Sequence, residues 1–198
     1  MGVILETIGA FVLAAMLTIM VLQMQVNAYQ TDANSKFTYS LQAHSNVFKE
    51  ILRGHLKTAG YNLTDLEHVV LYCNKDKFTF LTDLDNDNLA DTVSVELKAY
   101  STGHDPTPQN PYDMAVLVTK SGHQELMEVY GITDFEFTYY DADLNATTTK
   151  DDVRIVGFTY KMLSREPIVY NDTGSYEKTD YAMAIADERV FLKNVWDW

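Results

Sequence analysis

Met1-Gly-Val-Ile-Leu-Glu6-Thr-Ile-Gly-Ala-Phe-Val-Leu-Ala-Ala-Met-Leu-Thr-Ile-Met-Val-Leu22 opens the chain and decides how the rest is read. Between Val3 and Leu22 the polar side chains are Glu6, Thr7 and Thr18, and no Lys or Arg occurs before Lys36. A helix needs about 20 apolar residues to cross a bilayer, and this run supplies them. A carboxylate in such a run costs on the order of 2.5–3.5 kcal/mol in lipid, so its presence points to a partner that neutralises it. A secretory signal peptide would have a basic start, a shorter apolar stretch and a small-residue cleavage site. Here there is no basic start, the run is longer, and Gln23-Met-Gln-Val-Asn-Ala-Tyr-Gln-Thr-Asp32 follows it. The pattern describes a segment that first resides in a membrane and then packs against copies of itself.

Helical character continues beyond the apolar run. The first proline is Pro106, and Gly9 and Gly54 are the only glycines between Gly2 and Gly60. Leu41, His44, Phe48, Ile51, Leu52, His55 and Ala59 recur at helical spacing and form one broad face. Gly60 suits a left-handed cap. The reading is one helix from residue 2 to about 59, roughly 85 Å long at about 1.5 Å per residue. A head of this size cannot bury all of it. Residues 1–35 therefore form a membrane or filament-core helix, and 36–198 a globular head that includes the second half of the helix.

After Tyr61 the period changes to two. Candidate strands are Glu67–Asn74, Lys77–Asp83, Asp91–Lys98, Met114–Thr119, Gln124–Tyr130, Phe135–Tyr140, Val153–Met162 and Tyr181–Val195. Turn-forming stretches such as Asn74-Lys-Asp, Ser121-Gly and Asp141-Ala-Asp-Leu-Asn separate them. Residues 101–112, with three prolines, and the polar residues 164–180 read as loops. A helix followed by consecutive strands means an α+β fold, with the helix's C-terminal half packed on an antiparallel sheet.

The net charge of −13 rests mainly on the head, where 15 basic residues face 26 acidic ones. Such a surface is unsuited to phosphate backbones, so no nucleic-acid partner is expected. Cys73, the single cysteine, has no partner for an internal disulfide and reads as a buried thiol in a strand. No Gly-rich phosphate loop, Gly-x-Ser-x-Gly or nucleophile with its base is visible, so no enzymatic activity is expected. His44 and His55 lie too far apart along the helix for one metal, and His68, His104 and His123 lack ligand spacing. The many Tyr and Phe fall mostly at strand positions and read as core.

The beginning of the chain resembles the N-terminus of type IV pilins and pseudopilins, whose mature chains carry a Glu as fifth residue of a hydrophobic helix. Counted from Gly2, Glu6 is fifth. The head extends the likeness. Gln124-Glu-Leu-Met-Glu-Val-Tyr-Gly-Ile-Thr-Asp134-Phe-Glu-Phe-Thr-Tyr-Tyr-Asp-Ala-Asp143, followed by Asp152-Val-Arg154-Ile-Val-Gly-Phe-Thr-Tyr160, is similar to strands of J-type minor pseudopilins and W-type minor pilins. Leu56-Lys-Thr-Ala-Gly60-Tyr61 resembles the end of their long helix, and Arg189-Val-Phe-Leu-Lys-Asn194-Val their last strand. The resemblance implies a prepilin peptidase, inner-membrane assembly machinery and an extracellular homo-oligomeric filament held together by this helix, with membrane anchoring before assembly. Gly2 and Glu6 are the residues it assigns to assembly. Many bacterial members carry a helix-breaking Pro within the apolar run. That place is held here by Leu22, so the helix is expected to continue, with any loosening confined to Gly9. The expected function is a structural subunit of a type IV pilus-like filament. Its alternatives are a minor pseudopilin of a type II secretion-like system, or a membrane-anchored surface-binding module.

A second motif lies in the head. Asp83-Leu-Asp85-Asn-Asp87-Asn88-Leu89-Ala-Asp91 resembles the D-x-D-x-D-G-x-x-D calcium loops of several extracellular proteins. Ca²⁺ takes about six to eight oxygens. The expected ligands are Asp83, Asp85, Asp87 and Asp91, with the main-chain carbonyl of Leu89. Asn88 stands where such loops have Gly, and Asn tolerates the left-handed backbone required. Asn62-Leu-Thr64, Asn145-Ala-Thr147 and Asn171-Asp-Thr173 match the N-glycosylation pattern, making Asn62, Asn145 and Asn171 candidate acceptors.

Overall fold

The computed structural model describes residues 2–64, 68–99, 114–127, 131–171 and 177–195. The fold is α+β. One helix, α1 (Gly2–Lys57), precedes two antiparallel sheets. Strands β1 (Val70–Cys73), β2 (Lys77–Thr82), β3 (Asp91–Ala99), β4 (Met114–Lys120) and β5 (His123–Met127) form the first, in chain order. Strands β6 (Ile132–Tyr140), β7 (Ile155–Asn171) and β8 (Glu177–Phe191) form the second.

The 56-residue helix runs without a break, as a sequence free of proline allows. Five hydroxyls stay within it: Thr7, Thr18, Thr31, Ser35 and Thr38 each donate to the carbonyl four residues back, at 2.7 to 3.0 Å. Thr7 and Thr18 therefore add no unsatisfied donor to the apolar run.

Only the second half of the helix is covered. Its buried positions are Leu41, Ser45, Phe48, Leu52 and Leu56, a stripe that faces β7 and β8 and is continued by buried Ala59 just past the helix end. The broad face read from the sequence is narrower than expected. His44 and Ile51 point to solvent, and Ser45 and Leu56 take their places inside. Phe48 fills the centre, edge-on to Tyr160 at 4.9 Å and to Phe135 at 6.2 Å between ring centroids. The hydroxyl of Tyr160 donates to the Ser45 carbonyl at 2.7 Å and pairs with the Ser45 hydroxyl at 2.9 Å. A polar residue inside the stripe is thus matched by a polar tip on the sheet.

The helix stops through two devices. Gly60 adopts φ +74°, and a Cβ there would sit 3.0 Å from the Asn194 carbonyl oxygen. The Asn194 amide donates to the carbonyls of Lys57 and Ala59, at 3.3 and 3.2 Å, satisfying groups that a helix end leaves open. The Gly60 N–H donates to Leu81 at 2.8 Å and fixes the exit against β2.

The single sheet expected from sequence is two, joined through their side chains and one turn. Phe78 of β2 meets Phe137 and Tyr139 of β6 at 6.0 and 5.6 Å. The Phe137 N–H donates to Lys75 in the β1–β2 turn, and the Tyr139 hydroxyl donates to Asn74 at 2.6 Å. Phe78, Phe80, Val93, Val95, Val116 and Val118 share one core with Phe48 and Leu52.

All eight expected strands are present, with two corrections. Of residues 164–180, read as a loop, those described are strand: β7 runs on to Asn171 and β8 starts at Glu177, paired from Pro167↔Tyr181 to Asn171↔Glu177, while 172–176 lie outside the described residues. An antiparallel pair can leave one face to solvent, so polar residues do not exclude a strand. The last strand ends at Phe191, and Lys193–Val195 form a 3₁₀ turn that delivers Asn194 to the helix end. Residues 101–112 lie outside the described residues.

Two variants test this docking. Phe48→Ala is expected to cost about 3–5 kcal/mol by opening a cavity. Tyr160→Phe is expected to cost about 1–2 kcal/mol, because the Ser45 hydroxyl loses its cross-layer partner. Urea unfolding of the full chain in detergent micelles, followed by tryptophan fluorescence, measures both. Equal effects of the two changes would contradict the geometry.

Candidate functional site

Two regions carry the residues singled out from the sequence. The first is the uncovered half of α1. It is long and apolar enough to cross a membrane. Val3, Phe11, Leu13, Leu17 and Met24 are all exposed, Val3 at 76 % and Met24 at 73 %. Gly2 begins the helix, and Glu6 lies one turn in with its side chain exposed. Residues 2 to 29 are exposed throughout wherever their side chains are described, so no head contact neutralises or covers them.

The second region is the β2–β3 turn. Asp83 directly follows β2 and Asp91 starts β3, where it pairs with Thr82. Between them the backbone turns left-handed twice, at Asn86 (φ +61°) and Asn88 (φ +65°). Asn88 does what was expected of it. Asn86 was not anticipated, and it serves because a short amide side chain tolerates this backbone.

One carboxylate oxygen from each of Asp83, Asp85 and Asp91 lies within 4.8 Å of the others. Asp87 does not join them. Its Oδ1 accepts the Leu89 N–H at 2.8 Å, while the Leu89 side chain is exposed. The Asp85 Oδ1 accepts the Asp87 N–H at 3.3 Å. Asp91 accepts the Leu84 N–H at 3.0 Å and the Ser121 hydroxyl from the β4–β5 turn.

Asp83 is fully buried. Its Oδ2 accepts the Asn62 amide at 2.6 Å and the Asn88 N–H at 3.1 Å. Burial pushes its pKa up, but the donors from Asn62, Asn88 and the turn backbone outweigh that and hold it below the ordinary aspartate value. Asp83 is therefore a carboxylate at neutral pH. Asn62 and Ser121 come from the helix exit and from a different hairpin, so no local motif would have revealed them.

A second acidic turn offers a contrast. In Asp141–Asn145, Asp141 Oδ1 accepts the N–H groups of Asp143 and Asn145 at 2.9 and 2.8 Å, and Oδ2 accepts the Asn145 amide. That turn satisfies its own carboxylate. Of the candidate glycosylation residues, Asn62 and Asn145 thus use their amides within the head. Asn171 ends β7.

Cys73 ends β1 and is half-buried rather than buried. Its thiol donates to the Thr148 carbonyl at 3.4 Å. Burial and then the Asp151 charge push its pKa up, with Lys150 opposing. His68 pairs with Asp151 at 3.4 Å on the surface, and among the described residues no imidazole or thiol belongs to the carboxylate cluster.

Comparisons with protein-family models, with curated proteins and with solved structures find no match to this chain.

A raised thiol pKa and partial cover predict slow chemistry at Cys73. Iodoacetamide at mildly alkaline pH should alkylate the native chain more slowly than the urea-unfolded chain. Equal rates would show a freely accessible thiolate.

Proposed function

We propose that this chain is a structural subunit of a type IV pilin-like filament, anchored in a membrane before assembly and extracellular afterwards. One observation carries the reading: a single unbroken helix whose far half packs on the head while its near half presents an uncovered apolar surface with one acid. Each Leu, Ile, Val or Met side chain shielded from water gains roughly 1.5–3 kcal/mol. Lipid supplies that gain before assembly and sister helices supply it afterwards, so transfer between the two is close to balanced.

Glu6 supplies direction. A carboxylate in a helical bundle needs a partner, and the N-terminal amine of a neighbouring chain is a suitable cation in an otherwise base-free segment. Pairing the two would set the axial offset between subunits. A plain membrane tether would gain nothing from that acid. A minor, tip-located subunit uses the same helix chemistry and differs only in copy number.

Glu6→Gln and Glu6→Val are expected to leave the chain in the membrane fraction while blocking or slowing filament growth. Negative-stain microscopy of material sheared from producing cells, beside membrane fractionation, reads both. Filaments of normal yield from both variants would overturn the register role. The absence of this chain from any sheared filament of the unmutated cells would overturn the subunit reading.

A further inference from the structure

A group of three acids in a turn is, by itself, an ordinary surface feature. The β2–β3 turn differs because one of its acids is inside the protein. Asp83 is 0 % exposed, and while Oδ2 takes two donors, Oδ1 has no hydrogen-bond partner among the described residues. A buried carboxylate oxygen without a donor is costly, and native proteins nearly always supply one. The carboxyl group that carries this bare oxygen is the same one that meets Asp85 and Asp91. Three carboxylates thus converge where one of them is buried and keeps one oxygen without a donor.

A cation resolves both problems together. Oxygens on one Ca²⁺ stand up to about 5 Å apart, twice the metal–oxygen distance of about 2.3–2.6 Å. The 4.8 Å limit on this cluster falls within that span. The donors are all oxygen, which suits a hard ion and not the thiolate- and imidazole-seeking metals. An irregular turn, left-handed at Asn86 and Asn88, suits the loose geometry of Ca²⁺ better than the strict octahedron of Mg²⁺.

We propose that Asp83, Asp85 and Asp91 bind a single Ca²⁺ at the β2–β3 turn. Main-chain carbonyls and water complete its coordination. Through Asn62 on Asp83 and Ser121 on Asp91, the ion ties the helix exit, the β2–β3 turn and the β4–β5 turn to one point. The site lies on the head and operates whether or not the chain forms a filament.

The test uses the full chain in detergent micelles, stripped with EGTA. Equilibrium dialysis against radioactive Ca²⁺, from about 10 µM to about 10 mM, brackets the affinities of extracellular calcium modules. The expected result is one saturable site per chain and a higher Tm in CaCl₂ than in EGTA, with a much smaller shift in MgCl₂. Asp85 is exposed, so Asp85→Asn is expected to fold normally and to weaken binding by about tenfold or more. Asp143→Asn, in the self-satisfied second turn, controls for diffuse attraction to a chain of net charge −13 and should change nothing. No saturable binding over this range would overturn the site. So would an equal Tm shift in MgCl₂, or binding that survives Asp85→Asn, or binding that falls equally in Asp143→Asn.

Discussion

The contact on which the rest depends is the seat of the helix on the three-stranded sheet, centred on Phe48 and pinned by Ser45 and Tyr160. A helix of 56 residues has little internal reason to choose which face meets the head. Apolar side chains alone would allow it to roll, since Ile51 could replace Leu52 with little change in hydrophobicity. The paired hydroxyls remove that freedom, because both are buried and each needs the other. Rotation of the helix would strand Ser45 and Tyr160 together. With the roll fixed, the direction in which every side chain of the uncovered half projects is fixed too, because the helix is continuous. Any contact made by the near half inherits its orientation from a hydrogen bond in the head.

The end of the same helix governs the acidic turn. Gly60 bonds to Leu81, the Tyr61 carbonyl accepts from the Asp83 N–H, and Asn62 reaches the Asp83 carboxylate. The helix exit and the turn are therefore one structural unit. Asp83 is buried because the chain leaving the helix lies against it, and its ionised form is kept by donors from that chain and from the turn. The Asp141 turn shows an acidic turn that serves itself: the Asp141 carboxylate takes donors from the turn's own backbone and from the Asn145 amide. Similar composition gives two different electrostatic situations, and the tertiary neighbour makes the difference.

Much of this was legible in the residues. Freedom from proline, two interior glycines and an unbroken apolar run determined the helix and its excess length over the head. Alternating apolar residues helped to locate the strands, and β6 shows the reason most clearly, burying every second residue from Phe135 to Tyr139. Gly60 and Asn88 announced left-handed backbone, since few other residues adopt it cheaply. The acidic spacing located the turn and three of its converging carboxylates. These are local signals, and they depend on backbone sterics and on one-sided burial, which act over a few residues.

What the tertiary structure decided is whatever depends on which distant residue arrives. Ser45 inside the stripe and His44 outside it could not be told apart until Tyr160 came across from the sheet, because helical spacing allows either. The hairpin of β7 and β8 beyond Leu163 carries no alternation to betray it, and its pairing runs from Pro167↔Tyr181 to Asn171↔Glu177. The split into two sheets follows from β6 bonding to the β1–β2 turn instead of joining the first ladder. Asp87 leaves the cluster by capping its own turn, while Asn62 and Ser121 enter from elsewhere in the chain. Burial of Asp83 is the clearest case: its sequence neighbours mark it as a surface acid, and only the packed helix exit turns it into a buried carboxylate with one oxygen bare.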